Sequence, residues 1–342
     1  INIAYGLEKF DPQAKFLFVG THKGMEEEII SKKGYRLSFI EAKPWENIKS
    51  SLKHLKYSVK QVREIIQKFQ PDCAIGTGGY VSAPLALASF RMGIPLFWQE
   101  QNAYPGLATR LASIFAKRIF LGFEECRQHL WRKGKTIHSG NPVIIHHAEI
   151  SRDSARRKFS LATDKFTIFL TGGSQGAAVL NDTLLRMIQQ NNIPRNSQII
   201  WQCGHCEFEA LEKIVASMNI NISLHSFIED MSSAYKASDL VICRAGALTL
   251  TEISVVGIPA IIIPYPHSAN EHQKKNALVF VRNNAAIMID QSDLAPTLLR
   301  ATINEIMEDP DRLHKMSAAM KSMAMPNAID KIAKKIIYEL KN

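Results

Sequence analysis

The stretch LVICRAGALTLTEISVVGIPAIIIPYPHSANEHQKKNA, residues 240–277, decides how the rest of the chain is read. Its first four residues are apolar and fit a short buried strand. Arg244-Ala245-Gly246-Ala247 follows, and Gly246 lets the backbone turn sharply and bring its N–H groups close to a ligand. A helix is expected to start there, to run through LTLTEISVV and to stop at Gly257, a residue suited to the left-handed C-terminal position, with Pro259 blocking continuation. AIIIPYP then reads as a second buried strand, with a polar run, 267–273, beyond its carboxyl end. Strand, glycine turn, helix and strand form one βαβ unit, and open α/β sheets bind nucleotides and sugars outside the carboxyl ends of such strands. Glu252 is placed to accept hydrogen bonds from a ribose diol, and Gln273 to reach a phosphate or a sugar hydroxyl. A solvated carboxylate on any α/β helix is the plainer reading of Glu252.

The same punctuation occurs earlier. A strand expected at 71–75 leads into Gly76-Thr77-Gly78-Gly79-Tyr80-Val81-Ser82-Ala83-Pro84, expected to be a glycine turn and a helix with Ser82 as cap and Pro84 in its first turn. That helix ends at Gly93-Ile94-Pro95, an echo of Gly257-Ile258-Pro259, and the strand LFWQEQN delivers Glu100, Gln101 and Asn102 to its carboxyl end. Two βαβ units, one in each half, argue for two similar Rossmann-like domains. The first loop is not a dinucleotide fingerprint, because Val81 stands where the third glycine belongs. A third glycine turn, Gly172-Gly173-Ser174-Gln175-Gly176, leads from the strand 166–171 into the helix AAVLNDTLLRMI. Small residues at a helix start expose N–H groups and the positive end of the helix dipole, so this turn is the best phosphate cradle in the chain. It lacks the Lys-Ser/Thr of a nucleoside triphosphatase loop, and a diphosphate without a mandatory metal fits it better.

With 342 residues, two domains of ordinary size are expected. No apolar run approaches the roughly 18 residues needed to span a bilayer, and the first residues have neither the basic nor the apolar region of a signal peptide. The chain opens without Met in what reads as the middle of a helix, so an upstream segment is expected to be missing. The net charge of +10 is uneven: residues 1–145 carry 21 Lys and Arg against 12 Asp and Glu, leaving 21 against 20 for the remainder. The first half is therefore expected to meet an anionic partner. Five cysteines are too few and odd for a disulfide framework and suggest a reducing compartment.

In the helical pattern of residues 50–70, Leu52, Leu55, Val59, Val62, Ile66 and Phe69 form an apolar stripe. Lys49, Lys53, Lys56, Lys60 and Arg63 keep the same rhythm beside it. Such a helix, with Trp45 before it, suits an anionic lipid surface. A core-facing helix with a solvated basic face is the other reading. Cys203-Gly204-His205-Cys206 has the placement of a dithiol site, but Gln202 separates Trp201 from Cys203, unlike thioredoxin-like motifs, and no second pair completes a zinc site. Asp309-Pro310-Asp311 has the DxD spacing of metal-dependent glycosyltransferases and reads better as a helix cap. The last helix, 328–340, carries an apolar stripe and is expected to pack on one of the domains.

Taken together, GTGGYVSAP (76–84), EQN (100–102), GNPV (140–143), TGGSQGA (171–177), SFIEDM (226–231), CRAGALTLTE (243–252) and HQKKNA (272–277) resemble the MurG family of UDP-N-acetylglucosamine transferases, in the family's order and over almost the whole chain. The resemblance implies a GT-B architecture: an α/β fold of two Rossmann-like doubly wound domains with an interdomain cleft, here without the N-terminal strand and first glycine loop. An acceptor-side, membrane-docking domain is expected over 1–145 and a donor domain with the C-terminal helix over 146–342. The implied activity is inverting transfer of GlcNAc from UDP-GlcNAc to the MurNAc 4-hydroxyl of undecaprenyl-pyrophosphoryl-MurNAc-pentapeptide, with no cofactor and no metal. The implied location is the cytoplasmic face of the plasma membrane. Partners implied are UDP-GlcNAc, the lipid acceptor, an anionic membrane surface and other cell-wall synthesis proteins, and no nucleic acid.

By motif, the backbone of Ile228 would hold the uracil and Glu252 the ribose. Ser174, with Gly172, Gly173, Gln175 and Gly176, would take the diphosphate. Ala247, Leu248, Thr249, Leu250 and Thr251, with Gln273 and Asn102, would contact the phosphates and the GlcNAc. Gly78, Gly79 and Tyr80 would lie on the acceptor side. The family's proposed basic His belongs to the loop this sequence lacks, which leaves Glu100 as the nominated base. Gln99 stands where the family has His, Thr109 where it has Asn, and Ile144 where an Arg contacts the donor, a role Arg244 would have to fill. These departures predict a poorly active chain. The alternatives are a UDP-sugar 2-epimerase or a UDP-sugar binder without turnover.

Overall fold

The structure, a computed structural model, describes the chain except residues 23–25, 43–47, 146–149 and 219, with backbone alone for 26, 28 and 48–53. Met25, Trp45 and the side chains of Lys49, Leu52 and Lys53 therefore lie outside the described residues.

Two compact units emerge: residues 1–143 with 325–342, and residues 144–324. The first contains, in order, α1 (Asn2–Phe10), β1 (Leu17–Gly20), α2 (Glu26–Lys32), β2 (Arg36–Phe39), α3 (Ile48–Phe69), β3 (Ala74–Gly76), α4 (Gly79–Arg91), β4 (Leu96–Glu100), α5 (Leu107–Phe115), β5 (Arg118–Leu121) and β6 (Thr136–His138). The second contains α6 (Arg152–Lys158), β7 (Phe166–Thr171), α7 (Ala178–Gln189), β8 (Ser197–Gln202), α8 (His205–Val215), β9 (Ile222–His225), α9 (Met231–Ala237), β10 (Leu240–Cys243), α10 (Ala247–Val256), β11 (Ala260–Ile262), α11 (His272–Arg282), β12 (Ala286–Met288), α12 (Pro296–Met307) and α13 (Pro310–Ser322). The last helix, α14 (Ala328–Lys341), returns to the first unit.

All strand pairs described are parallel. In the first unit β1 pairs with β2, and β3-β4-β5-β6 form a four-stranded sheet. In the second the order is β12-β11-β10-β7-β8-β9, so the chain starts at the centre with β7, builds outward to one edge, then returns beside β7 with β10. The switch point of this doubly wound sheet lies between β7 and β10, where α/β folds open a crevice. Thr171 pairs with Cys243 across it, so the two strands end level and their two glycine turns stand side by side. The sheet is sealed by Ile168, Leu170, Trp201, Ile242 and Ile261, all buried, each worth about 1.5–3 kcal/mol of apolar burial.

Both predicted βαβ units are present: β3 pairs with β4 around α4, and β10 with β11 around α10, which ends at Gly257 with φ +83°. Ser82 does not cap α4. The helix begins earlier, behind Gly78 and Gly79 with φ of +92° and +74°, and Ser82 donates from within it to the Gly78 carbonyl.

The expected division at 145/146 falls at 143/144, and α14 does not stay with the second domain. Its stripe of Ile329, Ile332 and Ile336 packs on Ile3 and Leu7 of α1 and on Phe97 and Phe120 of the first sheet. Gly6 makes this possible, because a Cβ there would lie 2.5 Å from Ile329 Cγ2. Glu339, 7% exposed, accepts from Arg118 Nε at 2.7 Å and pairs with Lys335 at 2.9 Å, anchoring the helix to β5. Of the apolar stripe on α3, Val59, Val62 and Ile66 are buried in a cluster with Ile40 and Ala88 of α4. These three residues are therefore spent on the core, while Lys56, Lys60 and Arg63 are exposed.

Candidate functional site

A cavity of about 470 Å³ opens in the second unit at the carboxyl ends of β7 and β10. Its wall is the turn Thr171 to Gly176, the first residues of α7, then Arg244, Gly246, Thr249, Tyr265, Gln273 and Gln291. Neither α7 nor α10 has a side-chain cap. Their first N–H groups are thus left for a ligand, and two helix dipoles bring partial positive charge to one cavity. Arg244 is the single charged side chain in the wall. Exposed backbone, helix dipoles and one cation give the cavity the features that suit an anion.

The turn holds its shape through close backbone packing. Gly176 has φ +76° and Gly204 φ +89°; a Cβ on Gly176 would sit 2.1 Å from the Cys203 carbonyl oxygen, and one on Gly204 2.5 Å from that of Gln175. The CGHC sequence is therefore the floor under the glycine turn. Burial pushes the Cys203 thiol up to about 11, the opposite of what a thiolate nucleophile needs. Gln202, at the end of β8, ties this floor together: its Nε2 donates to Thr171 Oγ1 and to the Gly173 carbonyl, both at 3.1 Å, and its Oε1 accepts from Ile228 N at 2.9 Å.

Arg244 is held in place by the carbonyls of Ile263 (3.1 Å) and Pro264 (3.2 Å) and by Gln291 Oε1 (2.7 Å), with its guanidinium 5.6 Å over the Tyr265 ring. Burial lowers its pKa, against an opposing effect of Tyr265, and leaves it a cation at any ordinary pH. Gln273 Oε1 accepts from Tyr265 N at 2.9 Å. Glu252, on α10, is half-buried and accepts from the Tyr235 hydroxyl at 2.9 Å. Burial raises its pKa, partly offset by that bond.

The residues expected to bind the donor divide. Gly172, Gly173, Ser174, Gln175, Gly176, Arg244, Thr249 and Gln273 line the cavity. Ala247, Leu250 and Thr251 are buried in the fold and Leu248 is exposed outside the wall, because on a helix of 3.6 residues per turn one narrow face looks into the crevice, here through Gly246 and Thr249. Of the Ile228 backbone, expected to hold the uracil, the N–H is given to Gln202. Thr171, Tyr265 and Gln291 were missed. Each follows or closes a parallel strand, and the strand-end rule applied to β7, β11 and β12 would have found them.

In the first unit, Glu100 is 5% exposed at the end of β4. Its Oε1 accepts from Asn102 N (3.0 Å) and Asn102 Nδ2 (3.2 Å), and its Oε2 from the Thr109 hydroxyl, which in turn accepts from Trp98 Nε1 at 3.0 Å. Gln99 Nε2 donates to Asn141 Oδ1 at 2.8 Å, and Asn141 Nδ2 to the Gln101 carbonyl at 3.0 Å. Gln99 and Thr109 thus each serve a hydrogen-bonded group that braces the EQN turn. Gly78, Gly79 and Tyr80 form the start of α4. Asp309 caps α13, its Oδ1 accepting from Arg312 N at 2.9 Å.

The N-terminal domain of glycosyltransferase family 28 matches residues 1–121 and its C-terminal domain residues 167–332. The chain is 32% identical to a UDP-N-acetylglucosamine–N-acetylmuramyl-(pentapeptide) pyrophosphoryl-undecaprenol N-acetylglucosamine transferase of Acetivibrio thermocellus, over 100% of this chain and 94% of the relative. It is 36% identical to the same-named protein of Chlorobium phaeobacteroides, over 98% and 94%. The crystal structure of Acinetobacter baumannii MurG superimposes with a TM-score of 0.78 at 27% identity, covering 98% of this chain and 94% of that one. With two parallel-sheet domains of the GT-B kind and this match along its whole length, the chain belongs to glycosyltransferase family 28, among the MurG enzymes.

Proposed function

We propose that this chain transfers N-acetylglucosamine from UDP-GlcNAc to the MurNAc 4-hydroxyl of an undecaprenyl-pyrophosphoryl-MurNAc-pentapeptide. The observation that carries the donor half is the cavity at the switch point, where two uncapped helices and Arg244 converge on a turn of small residues. The acceptor is taken from the name shared by relatives 32–36% identical along their length. That identity also favours transfer over the epimerase reading.

In the reaction the acceptor oxygen forms a bond to the anomeric carbon as the bond from that carbon to the diphosphate breaks, its proton passes to a base, and UDP leaves. Charge grows on the diphosphate, and N–H groups at the start of α7, with Arg244, would stabilise it. Ser174 and Gln175, exposed on the turn, would reach the phosphates directly. Gln273 would contact the phosphates or the sugar, and Glu252, fixed by Tyr235, the ribose. Asn102 would contact the phosphates or the GlcNAc, and the Gly78–Tyr80 turn would serve the acceptor side of the reaction. Glu100 remains the candidate base: to act, its Oε2 exchanges the Thr109 hydroxyl for that of the acceptor. Arg244 would supply the cation that Ile144 does not.

Membrane association is part of the proposal. No helix among the described residues is long and apolar enough to cross a bilayer. Its support is the excess of basic residues in the first half, with Lys56, Lys60 and Arg63 exposed on α3 beside Tyr57, and Phe90 60% exposed on α4. The buried part of the α3 stripe, Val59, Val62 and Ile66, gives no support.

Calorimetric titration with UDP-GlcNAc, against UDP-glucose, tests the donor half, and turnover with the lipid acceptor tests the rest. Saturable binding selective for the N-acetyl sugar, followed by a disaccharide-lipid product, is expected. Absence of binding overturns the donor assignment; binding without product leaves a UDP-sugar binder.

A further inference from the structure

Gln202 is 2% exposed, yet its amide is the meeting point of three segments. It ends β8 in register with Thr171, the last residue of β7. Beyond Thr171 lies the glycine turn, and on the other side the 226–231 loop approaches through Ile228, itself 5% exposed. The amide orientation is fixed by chemistry, because the reverse would set NH2 against the Ile228 N–H and oxygen against the Gly173 carbonyl. Both ends are therefore committed. The Nε2 end holds Thr171 Oγ1, which also receives the Gly173 N–H at 3.1 Å, while the Oε1 end holds the Ile228 N–H. Gly173, at φ +89°, belongs to a turn without regular structure of its own. One side chain thus sets how far the turn that lines the anion cavity stands from the loop at Ile228.

We infer that Gln202 is a positioning residue for the donor nucleotide: a strut that fixes the spacing between the diphosphate turn and the 226–231 loop, where the nucleoside end would lie. The inference rests on the donor reading above. The ligand does not touch Gln202; the side chain acts by keeping two ligand-facing backbones at one separation, so that a molecule with both a nucleoside and a diphosphate fits without rearrangement. Ordering such segments before binding removes a cost that the ligand would otherwise bear.

The test compares dissociation constants for UDP and UMP on the native chain, Q202M and T171V by calorimetry, with melting temperatures alongside. Q202M keeps length and volume and removes every bond of the strut. It is expected to weaken UDP and UMP about tenfold or more, with one site per chain retained. T171V loosens only the phosphate end, so it is expected to weaken UDP more than UMP. A Q202M chain that melts lower but binds UDP with the native constant overturns the inference, since Gln202 would then serve packing alone. If Q202M does not accumulate as folded protein, T171V decides: a native ratio of UDP to UMP affinity overturns it. A native chain that binds neither nucleotide defeats the donor reading and this role with it, whereas native binding unchanged in both variants defeats the positioning role alone.

Discussion

The Tyr235 hydroxyl donates to Glu252 Oε2 at 2.9 Å, joining the buried face of α9 to a carboxylate on α10. Tyr235 is fully buried, its ring edge-on to Phe169 at 5.7 Å, so the bond has one geometry. Among the described residues no hydrogen bond reaches Oε1, which leaves Glu252 one oxygen anchored and one to offer. That arrangement suits the proposed contact to a ribose.

Tyr235→Phe is expected to weaken UDP several-fold and to lower stability by about 1 kcal/mol. Burial raises the Glu252 pKa and the Tyr235 bond opposes this, so the variant raises it further. The ionised carboxylate is the stronger acceptor. UDP affinity should therefore decline on acidification through the raised pKa, and the decline should start at higher pH in the variant. Titrations between pH 5 and 8 check this; coincident profiles would separate Glu252 from the ribose.

Asp230 caps α9, its Oδ1 accepting from Ser233 N at 3.0 Å. Burial pushes its carboxyl up, but the Ser233 hydroxyl, Lys158 and the Ser233 N–H outweigh this and bring it down to about 2. A depressed pKa contributes stability above the ordinary carboxylate value and loses it as pH falls toward the folded value. Asp230→Asn should cost about 1 kcal/mol at pH 7, and the difference should vanish near pH 2. Denaturant unfolding of the second unit at both pH values measures it. Glu252 has the opposite sign: its raised pKa favours the folded state at low pH.

Gly204→Ala is expected to weaken UDP at least tenfold and to cost about 2 kcal/mol, because the new Cβ would lie 2.5 Å from the Gln175 carbonyl at φ +89°. Cys206→Ser, on an exposed residue of the same CGHC sequence, should leave both unchanged. If the two variants behave alike, the floor under the glycine turn is not what Gly204 provides.

Glu100→Gln keeps shape and the contacts of Oε1 but cannot take a proton. As base, Glu100 predicts a fall in kcat of about 100-fold or more with KM for UDP-GlcNAc little changed. A fall under tenfold would make Glu100 the organiser of the EQN turn only.

Glu339→Ala leaves Arg118, Lys117 and Lys335 without their shared partner. The expected loss is about 2 kcal/mol in the first unit, below that of a wholly buried pair because Arg118 and Lys335 keep 32% of their side chains exposed. UDP binding should be unchanged. A drop in UDP affinity without loss of stability would contradict the helix-anchoring role.

Glycine and proline punctuation made the two βαβ units and the turn at 172–176 legible, since the positive φ needed at Gly173, Gly176 and Gly257 is one that glycine adopts most readily. The short strands β5, β6, β9 and β12 have three or four residues each, too few for a period to register, and went unread. Tyr265 and Gln291 carry no motif of their own. The apolar stripe of α3 suited a core or a lipid surface equally, because periodicity reports an apolar face and not what covers it.

The order of strand, glycine turn and helix was set by local rules, because backbone conformation at Gly, Pro and helix ends depends on a few neighbouring residues; so the sequence by itself determined two Rossmann-like halves, a glycine turn at 172–176 and membership in its family. Which side chains meet was decided by contacts across large sequence separations. Gln202 reaches Thr171 and Ile228, Tyr235 reaches Glu252, and Ile329 closes on Gly6 to carry the last helix back to the first unit. Such meetings depend on how strands order and helices pack, and no local pattern in the chain encodes them.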